Sequence, residues 1–379
     1  MELHACHTAR VKPQSAICLQ PIDLVENGRG DMTATDTPTK GPRMKITALA
    51  GGVGGARFLR GLRDALAARG LGPTGADPAS VTVIGNTGDD ITLFGLRVCP
   101  DLDTVLYTLG GGVNEEQGWG RADEGHLLQG ELAAYGVEPQ WFGLGDCDLG
   151  THVARSLWLG QGASLSEVTA RLAARWGLPE SGFTLRPMTD TPVETHVVIP
   201  DDDGTGSRAV HFQEWWVRLR AAVAAQRFVV VGMDRATPAP GVLEAIRTAD
   251  VVLLPPSNPV VSIGVILGVP GVRDALRGTP APVVGVSPLV GGRPVRGHAD
   301  ACLRAIGVES SSAAVAGLYA DFLDGWLVDS SDSDGSYADR VAVQRRPLLM
   351  SSPPAAAELA GAALDLALSL RGRGARAVG

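Results

Sequence analysis

The stretch Gly51-Gly52-Val53-Gly54-Gly55-Ala56-Arg57 lies between a short apolar run, residues 45–50, and an amphipathic run, residues 58–68. This order is typical of a strand that passes through a glycine-rich turn into a helix. Such a turn leaves backbone N–H groups and the positive end of a helix dipole facing open space, where anions bind. Similar turns also exist only to pack a helix closely on a sheet. The stretch favours a phosphate or nucleotide site and leaves the structural alternative open.

Outward from this turn, the sequence alternates between strand and helix patterns. Residues 45–50, 57–69 and 80–84 predict a right-handed β-α-β unit, and an alanine-rich helix is predicted over 355–370. A change of pattern interrupts the alternation, and the β/α pattern resumes after it. We predict an α/β, Rossmann-like, doubly wound and mostly parallel sheet with an inserted α+β lid subdomain. The insertion is predicted to contain antiparallel strands over 183–187, 194–199 and 209–212, and a helix over 213–226 precedes a resumed parallel strand over 228–231.

Composition divides the chain into three parts. Residues 1–43 have no periodic apolar pattern and are rich in Thr, Pro, Asp and Gly, which predicts a disordered leader. Residues 44–370 are predicted to form a single α/β domain with the lid insertion at about 160–227. Residues 371–379 are left as a tail.

Bulk properties exclude several classes of protein. The net charge of -8 and the pI of about 5.4 argue against nucleic acid as a partner. The five cysteines are widely spaced and form no CxxC pair, which is typical of reduced thiols in the cytoplasm. Because no apolar run is long enough to span a bilayer, we expect a cytoplasmic protein without a membrane partner.

Lysine is nearly absent from the chain. Lys12, Lys40 and Lys45 are the only lysines, and none follows the glycine-rich turn. A Walker-type phosphate loop, which needs a lysine after its glycines, is therefore excluded, as is a lysine nucleophile or base over nearly the whole chain. An anionic ligand must be met by arginine, by backbone amides or by a metal ion.

Two acidic segments follow the predicted strands. Asp89 and Asp90 end the turn Gly85-Asn86-Thr87-Gly88-Asp89-Asp90, and paired carboxylates at a strand end suit Mg²⁺. A solvated turn explains the same residues without any function. Asp101 and Asp103 lie at the start of a predicted helix, where they can serve as helix caps. If Asp103 points back towards Asp89, the two carboxylates form a cation site.

Two further loops carry polar or aromatic groups that suit a nucleotide or a planar ligand. Ser257-Asn258-Pro259 follows the apolar strand 250–254 and could hold a phosphate or base, with a structural turn as the alternative. Gly118-Trp119-Gly120-Arg121 pairs an aromatic ring with a cation. The aromatic run 211–216 could stack on a heterocycle or anchor the lid. No nucleophile-elbow motif is present, which argues against covalent catalysis.

Taken in order, these motifs resemble the 2-phospho-L-lactate transferase family (CofD), and residues 211–216 resemble its actinobacterial phosphoenolpyruvate transferase branch. The resemblance extends over about residues 44–370. It implies a step in coenzyme F-420 biosynthesis in which a guanosine diphosphate adduct of lactate or enolpyruvate meets the deazaflavin Fo. The terminal ribityl hydroxyl of Fo attacks, the phosphoenolpyruvyl or 2-phospholactyl group is transferred, and GMP leaves.

On this resemblance each motif receives an expected role. Asp89 and Asp103 are expected to bind Mg²⁺ directly, and Asp90 to orient the ribityl hydroxyl or act as general base. We also expect a homodimer. The other expected substrate-binding residues are Gly51, Gly52, Gly54, Gly55 and Arg57 towards phosphate, Asn86 and Thr87 in the acidic turn, Trp119 and Arg121 towards the deazaflavin, and Ser257, Asn258 and Pro259 towards the guanine nucleotide.

Two alternatives belong to other classes. A non-catalytic regulator that senses a nucleotide or sugar nucleotide could keep the glycine-rich turn, but it would not need Asp89, Asp90 and Asp103 together. An NAD-dependent dehydrogenase would show Gly-x-Gly-x-x-Gly and an acidic residue after the second strand. Here the glycine spacing differs, and Gly85-Asn86 follows that strand.

Overall fold

The computed structural model describes residues 43–201, 204–333 and 335–372. The predicted leader and tail fall outside these residues except at Arg43, Arg371 and Gly372. Among the described helices, none is long and apolar enough to cross a membrane. The strands are β1 Lys45–Ala50, β2 Ser80–Gly85, β3 Ile91–Leu93, β4 Leu96–Val98, β5 Phe183–Pro187, β6 Glu194–Pro200, β7 Ser207–His211, β8 Arg227–Val231, β9 Val251–Leu254, β10 Val283–Val286, β11 Leu289–Val290, β12 Arg293–Pro294, β13 Gly325–Asp329 and β14 Ala342–Arg346.

Helices of very different lengths connect these strands. The short Glu214–Arg218 segment is a π-helix, and Met233–Arg235 forms a 3₁₀ turn. The α-helices are α1 Gly52–Ala68, α2 Pro100–Leu109, α3 Leu127–Ala134, α4 Asp146–Gly160, α5 Leu165–Arg175, α6 Val242–Arg247, α7 Ile263–Gly268, α8 Val272–Gly278, α9 Ala299–Ala305, α10 Ser312–Gly317 and α11 Pro353–Leu370.

The main sheet has seven strands in the order β14-β13-β10-β9-β1-β2-β5, and all of its pairings are parallel. Strand β1 is central, since Ile46 lies opposite both Val81 of β2 and Val251 of β9. The chain runs from β1 to β2 and β5 on one side, and then starts again on the other side with β9. This reversal opens a crevice at the carboxyl ends of β1 and β9. The predicted α/β, Rossmann-like fold is confirmed.

Both faces of the sheet are covered by helices. Ile46 and Ala48 of β1 belong to the core that α1, α2 and α11 cover, whereas Leu49 belongs to the core on the opposite face. Helix α11 packs very closely on α1, because a Cβ on Gly61 would lie 2.3 Å from the Ala356 carbonyl oxygen. Burial on both sides explains why β9 is apolar at every position.

A second sheet of three antiparallel strands, β7-β6-β8, forms the insertion. Two predicted strands exchange places relative to our expectation. Strand β5, predicted as antiparallel, is the parallel edge strand beside β2, and β8, predicted to resume the parallel sheet, pairs antiparallel with β6. The apolar run of β8 resembled a buried parallel strand, but Val229 and Val231 are exposed on the edge of the small sheet.

Two other local predictions are wrong. The helix over 213–226 forms only as the π-helix, and the chain leaves it with positive φ angles at Arg220 and Ala221. The segment 139–142, which its sequence also predicts as a short strand, forms no strand. The β3–β4 hairpin was not predicted, because its two three-residue strands are too short for a pattern of alternation.

Candidate active site at the carboxyl edge of the sheet

The glycine-rich turn after β1 packs directly on the loop after β9. The Gly51 N–H donates to Ser257 Oγ at 3.1 Å, and the Ser257 hydroxyl donates back to the Gly51 carbonyl oxygen at 2.8 Å. A Cβ on Gly54 would lie 2.3 Å from the Pro256 carbonyl oxygen, and a Cβ on Gly55 would lie 2.7 Å from Ser257 Oγ. Close packing therefore accounts for Gly54 and Gly55, and their contact with a phosphate stays a prediction.

The Asp101 carboxylate lies beside the glycine-rich turn that begins α1, where a phosphate was predicted. A Cβ on Gly51 would lie 2.5 Å from Asp101 Oδ2, and Asn86 Nδ2 donates to the same oxygen at 2.9 Å. Burial raises the pKa of Asp101 to about 6, while the bonds from Asn86 and from the Gly52 N–H act in the opposite direction. The sequence suggested only a capping role for Asp101, yet this buried carboxylate lies between the glycine-rich turn and the acidic turn.

Asp89 is the neighbour of Asp101 in the acidic turn. Its side chain is buried, and its Oδ1 atom has no hydrogen-bond partner. Burial raises the pKa of Asp89 well above its usual range, and the charges of Asp101 and Asp90 raise it further against the effect of Asn86. A buried carboxylate oxygen that lacks a partner is suited to a proton or a bound cation.

Asp90 points into a different environment. Cys99 Sγ donates to Asp90 Oδ2 at 3.0 Å, and Arg97 Nη2 lies 3.5 Å from the same oxygen. Burial raises the pKa of Asp90 to about 7, and Arg97 is the strongest opposing influence. A carboxyl group with this pKa can exchange a proton near neutral pH.

Asp103 lies in a buried network with α4. Its carboxylate forms an ion pair with Arg155, and His152 Nδ1 lies 3.7 Å from Asp103 Oδ2. Arg155 can only donate, so its contact with His152 Nδ1 at 3.2 Å makes that nitrogen an acceptor. His152 Nε2 then carries the hydrogen and faces Asp148 Oδ2 at 3.3 Å. Burial raises the pKa of Asp103, and Arg155 opposes this shift.

Potential metal-ligating atoms of Asp103, Asp148 and His152 lie within 4.8 Å of one another. The Arg155 guanidinium already supplies a positive charge to this cluster, and the Tyr107 hydroxyl donates to Asp148. These contacts join α2 to α4, and within the cluster Asp103 Oδ2 and His152 Nε2 have no hydrogen-bond partner.

The small antiparallel sheet holds the backbone of the acidic turn. The Thr195 N–H donates to the Gly88 carbonyl oxygen at 2.6 Å, and Gln213 Nε2 donates to that of Asp89 at 3.3 Å. His211 Nδ1 accepts from the Gln213 N–H, so Nε2 donates to the Asp90 carbonyl oxygen at 3.1 Å. Burial lowers the pKa of His211, which keeps the ring neutral. We call the inserted segment with β6, β7 and the π-helix the lid, because these residues cover Asp89 and Asp90.

In the aromatic run, Trp215 is fully buried and donates through Nε1 to the Val223 carbonyl oxygen at 2.8 Å. Its role is to anchor the inserted sheet. Trp216 is less buried and stacks edge-on against His298, with ring centroids 5.0 Å apart.

The predicted residues on the nucleotide loop have local partners. Asn258 Oδ1 accepts from the Val260 and Val261 N–H groups, and Asn258 Nδ2 lies 3.5 Å from Cys302 Sγ. The Pro259 carbonyl oxygen accepts from the Gly264 N–H at 3.1 Å. These contacts fix the loop, and nucleotide binding by Ser257, Asn258 and Pro259 stays a prediction.

The other predicted residues are spread around the crevice. Thr87 is buried next to Asn86, and its hydroxyl has no hydrogen-bond partner. Arg121 stacks on Trp176 at 5.3 Å and donates to the Cys147 carbonyl oxygen, while the Trp119 ring is half exposed. Arg57 Nη2 donates to the Glu115 carbonyl oxygen at 3.2 Å.

With this geometry in place, comparison with known proteins identifies the family. A family model described as 2-phospho-L-lactate transferase CofD matches residues 46–351. The chain belongs to the CofD family. Membership confirms the family predicted from the motifs and makes the chain an enzyme, a transferase.

Curated relatives of this CofD chain are named phosphoenolpyruvate transferase. The protein from Thermobifida fusca is 63% identical over 87% of this chain and 100% of its own length. The protein from Streptomyces coelicolor is 58% identical over 86% of this chain and 99% of its own length, and one from a Mycobacterium species is 53% identical over 86% and 99%. These names agree with the predicted actinobacterial branch.

A solved structure of a UPF0052 family protein from Bacillus halodurans superimposes with a TM-score of 0.53. It covers 85% of the CofD chain and 99% of its own chain at 18% sequence identity. At this identity the likeness supports the fold alone.

Proposed function

We propose that this CofD chain transfers a phosphoenolpyruvyl group from a guanosine diphosphate adduct to the terminal hydroxyl of the deazaflavin Fo, releasing GMP, in coenzyme F-420 biosynthesis. The 2-phospholactyl adduct is the second possible donor, and the names of the curated relatives favour the phosphoenolpyruvyl one. The observation that carries the proposal is the buried pair Asp89 and Asp101, which meets the glycine-rich turn at the crevice where open α/β sheets bind ligands.

The reaction exchanges one phosphorus–oxygen bond for another. The hydroxyl oxygen of Fo bonds to the phosphorus that carries the three-carbon acid, the bond from that phosphorus to the GMP oxygen breaks, and the hydroxyl proton goes to a base. Transfer of this type depends on in-line positioning and on compensation of phosphate charge, not on a covalent intermediate.

Asp90 is the base in this proposal. With a pKa of about 7, it is partly ionised at neutral pH and can accept the hydroxyl proton. Asp90 is fully buried, and His211 donates to its backbone carbonyl, so the lid residues must move before the acceptor reaches its carboxylate. Arg97 and Cys99 stabilise its ionised form.

The acidic residues also fit Mg²⁺. Asp89 presents a buried carboxylate oxygen without a partner, and Mg²⁺ takes carboxylates together with substrate phosphate oxygens. When bound, the ion would neutralise phosphate charge in the transition state. We assign the second carboxylate to Asp101, because Asn86, three residues before Asp89, donates to Asp101 Oδ2 at 2.9 Å and holds it against the acidic turn. Asp103, expected from the sequence, already has Arg155 as its counter-ion, and its role as a ligand stays a prediction.

The test is a direct assay of the products. The protein is incubated with Fo, Mg²⁺ and either guanylyl donor, and product mass and GMP release are read together. We expect equal amounts of GMP and of the phosphoenolpyruvyl or phospholactyl derivative of Fo. Release of GMP without any derivative of Fo, or no product with either donor, would contradict the proposal.

A further inference from the structure

Two arginines from distant parts of the chain meet beside the glycine-rich turn. A Cβ placed on Gly118 would lie 2.6 Å from Arg296 Nη1 and 3.2 Å from Arg57 Nη2, so both guanidiniums border the same small volume. Val53 borders it too, since its Cγ1 atom would lie 2.8 Å from that Cβ. Gly118 has a φ of 76°, and a Cβ there would be too close to Arg296 and Val53, so glycine is what allows both guanidiniums to approach this point.

The charge of this pair is only partly compensated within the described part of the chain, since the Glu115 carboxylate acts on Arg57 but is paired with Arg60. Neither Arg57 nor Arg296 forms an ion pair with a carboxylate there, and the Glu115 carboxylate binds Arg60 instead. Burial lowers the pKa of Arg57, and the charge of Arg296 lowers it further. Two cations held side by side favour an anion between them.

Backbone carbonyl groups hold both side chains in place. Arg57 donates to the carbonyl oxygen of Glu115, and Arg296 donates to those of Glu116 and Gln117. A guanidinium has five N–H donors in a planar fork, so donors remain on each residue after these bonds. Such preorganised forks bind phosphate and carboxylate groups in a bidentate manner.

We infer that Arg57 and Arg296 form a clamp for one oxyanion of the donor, either its phosphoanhydride or the carboxylate of its three-carbon acid. The inference rests on the proposed function and adds Arg296 as a binding residue. Arg296 also lies next to the lid: a Cβ on Gly297 would lie 2.6 Å from the Trp216 ring, which stacks on His298. The clamp therefore sits between the glycine-rich turn and the lid.

The alternative is that the two arginines only anchor residues 115–117. Arg60→Gln is the matched control, because Arg60 binds the Glu115 side chain of the same segment and is not among the three side chains nearest to a Cβ on Gly118. The experiment compares the wild type with R57Q, R296Q and R60Q by isothermal titration, using GDP and phosphoenolpyruvate as separate probes at fixed Mg²⁺ and salt. Thermal melting checks that each variant is folded.

We expect R57Q and R296Q to raise the Kd of one probe by about 10- to 100-fold, because each variant loses charge-assisted hydrogen bonds. R60Q should change the same Kd by less than about twofold. A change confined to GDP assigns the clamp to the phosphoanhydride, and a change confined to phosphoenolpyruvate assigns it to the acid.

Equal affinities in all four proteins, an equal loss in R60Q, or no binding of either probe to the wild type would overturn the clamp. If the wild type makes no product with Fo while R296Q still weakens a probe, the proposed function fails and the clamp stands.

Discussion

Two pairs of buried carboxylates lie in the same site and differ in what surrounds them. Asp90 and Asp103 have arginines as counter-ions, Arg97 and Arg155. In the described part of the chain, Asp89 and Asp101 share only the amide of Asn86 and nearby backbone, and no arginine is among the groups that shift their pKa values. Burial raises the pKa in all four, but only one pair is compensated.

The difference indicates which carboxylates are suited to bind a cation and which one is suited to accept a proton. Burying an ionised group without a partner is costly, so the uncompensated pair must take up protons or a cation. We therefore propose that Mg²⁺ binds next to Asp89 and Asp101, and that Asp90 takes part in the proton transfer. The following predictions test this division.

The largest effect is expected from Asp89→Asn. The variant keeps the shape of the side chain and removes the charge, so we expect kcat/KM for transfer to fall by about 10³-fold or more, equivalent to about 4 kcal/mol. Steady-state kinetics of GMP release measure the change, with D365N, a surface carboxylate that pairs with Arg69, as the control. Unfolding should show no loss of stability, and turnover within threefold of the wild type would remove Asp89 from the mechanism.

On the compensated side, Arg155→Met should act mainly on stability. It leaves Asp103 buried without its counter-ion, which typically destabilises a protein by about 3–5 kcal/mol. Urea unfolding measures the difference. The matched variant R60M breaks a pair whose glutamate is 65% exposed, and it should cost less than about 1 kcal/mol. An equal loss of unfolding free energy in the two variants would mean that removing the Asp103 counter-ion costs no more than breaking a surface ion pair.

A smaller effect concerns the dependence of stability on pH. The pKa of Asp90 is about 7 in the folded state and near 3.8 when unfolded, so the folded state binds its proton more tightly. Asp90 therefore stabilises the fold least above pH 7, and stability is lost as pH rises from about 4 through 7. Asp90→Asn removes this group. As pH rises from 5 to 8, the free energy of unfolding of the variant should therefore increase by about 1–3 kcal/mol relative to that of the wild type. Metal-free unfolding at several pH values tests this, and a pH-independent difference would contradict the assigned pKa.

The elements at the centre of the main sheet follow from local patterns, and these elements could be predicted from the sequence. The β1-turn-α1 unit and the buried strand β9 carry apolar runs and turn residues that determine their own structure. The positions of β5 and β8 could not be predicted, because an apolar run does not show which strand it will pair with.

The candidate site was predicted in part for the same reason. Asp89 and Asp90 were recognised because they directly follow β2. The roles of Asp101 and Arg155 depend on which carboxylate faces which partner across the crevice, and spacing does not record this. Arg296 lies 239 residues after Arg57, and no pattern in the sequence links the two.

The central claim is that the uncompensated carboxylates bind the cation. Its most direct test is titration of Mg²⁺ at pH 7.5 into the wild type and the variants D89N, D101N and D103N. Our account predicts that D89N and D101N raise the Kd for Mg²⁺ by at least about tenfold, whereas the Kd of D103N stays within about threefold of the wild-type value. Loss of binding in D103N together with normal binding in D101N would contradict it and return the second ligand to Asp103.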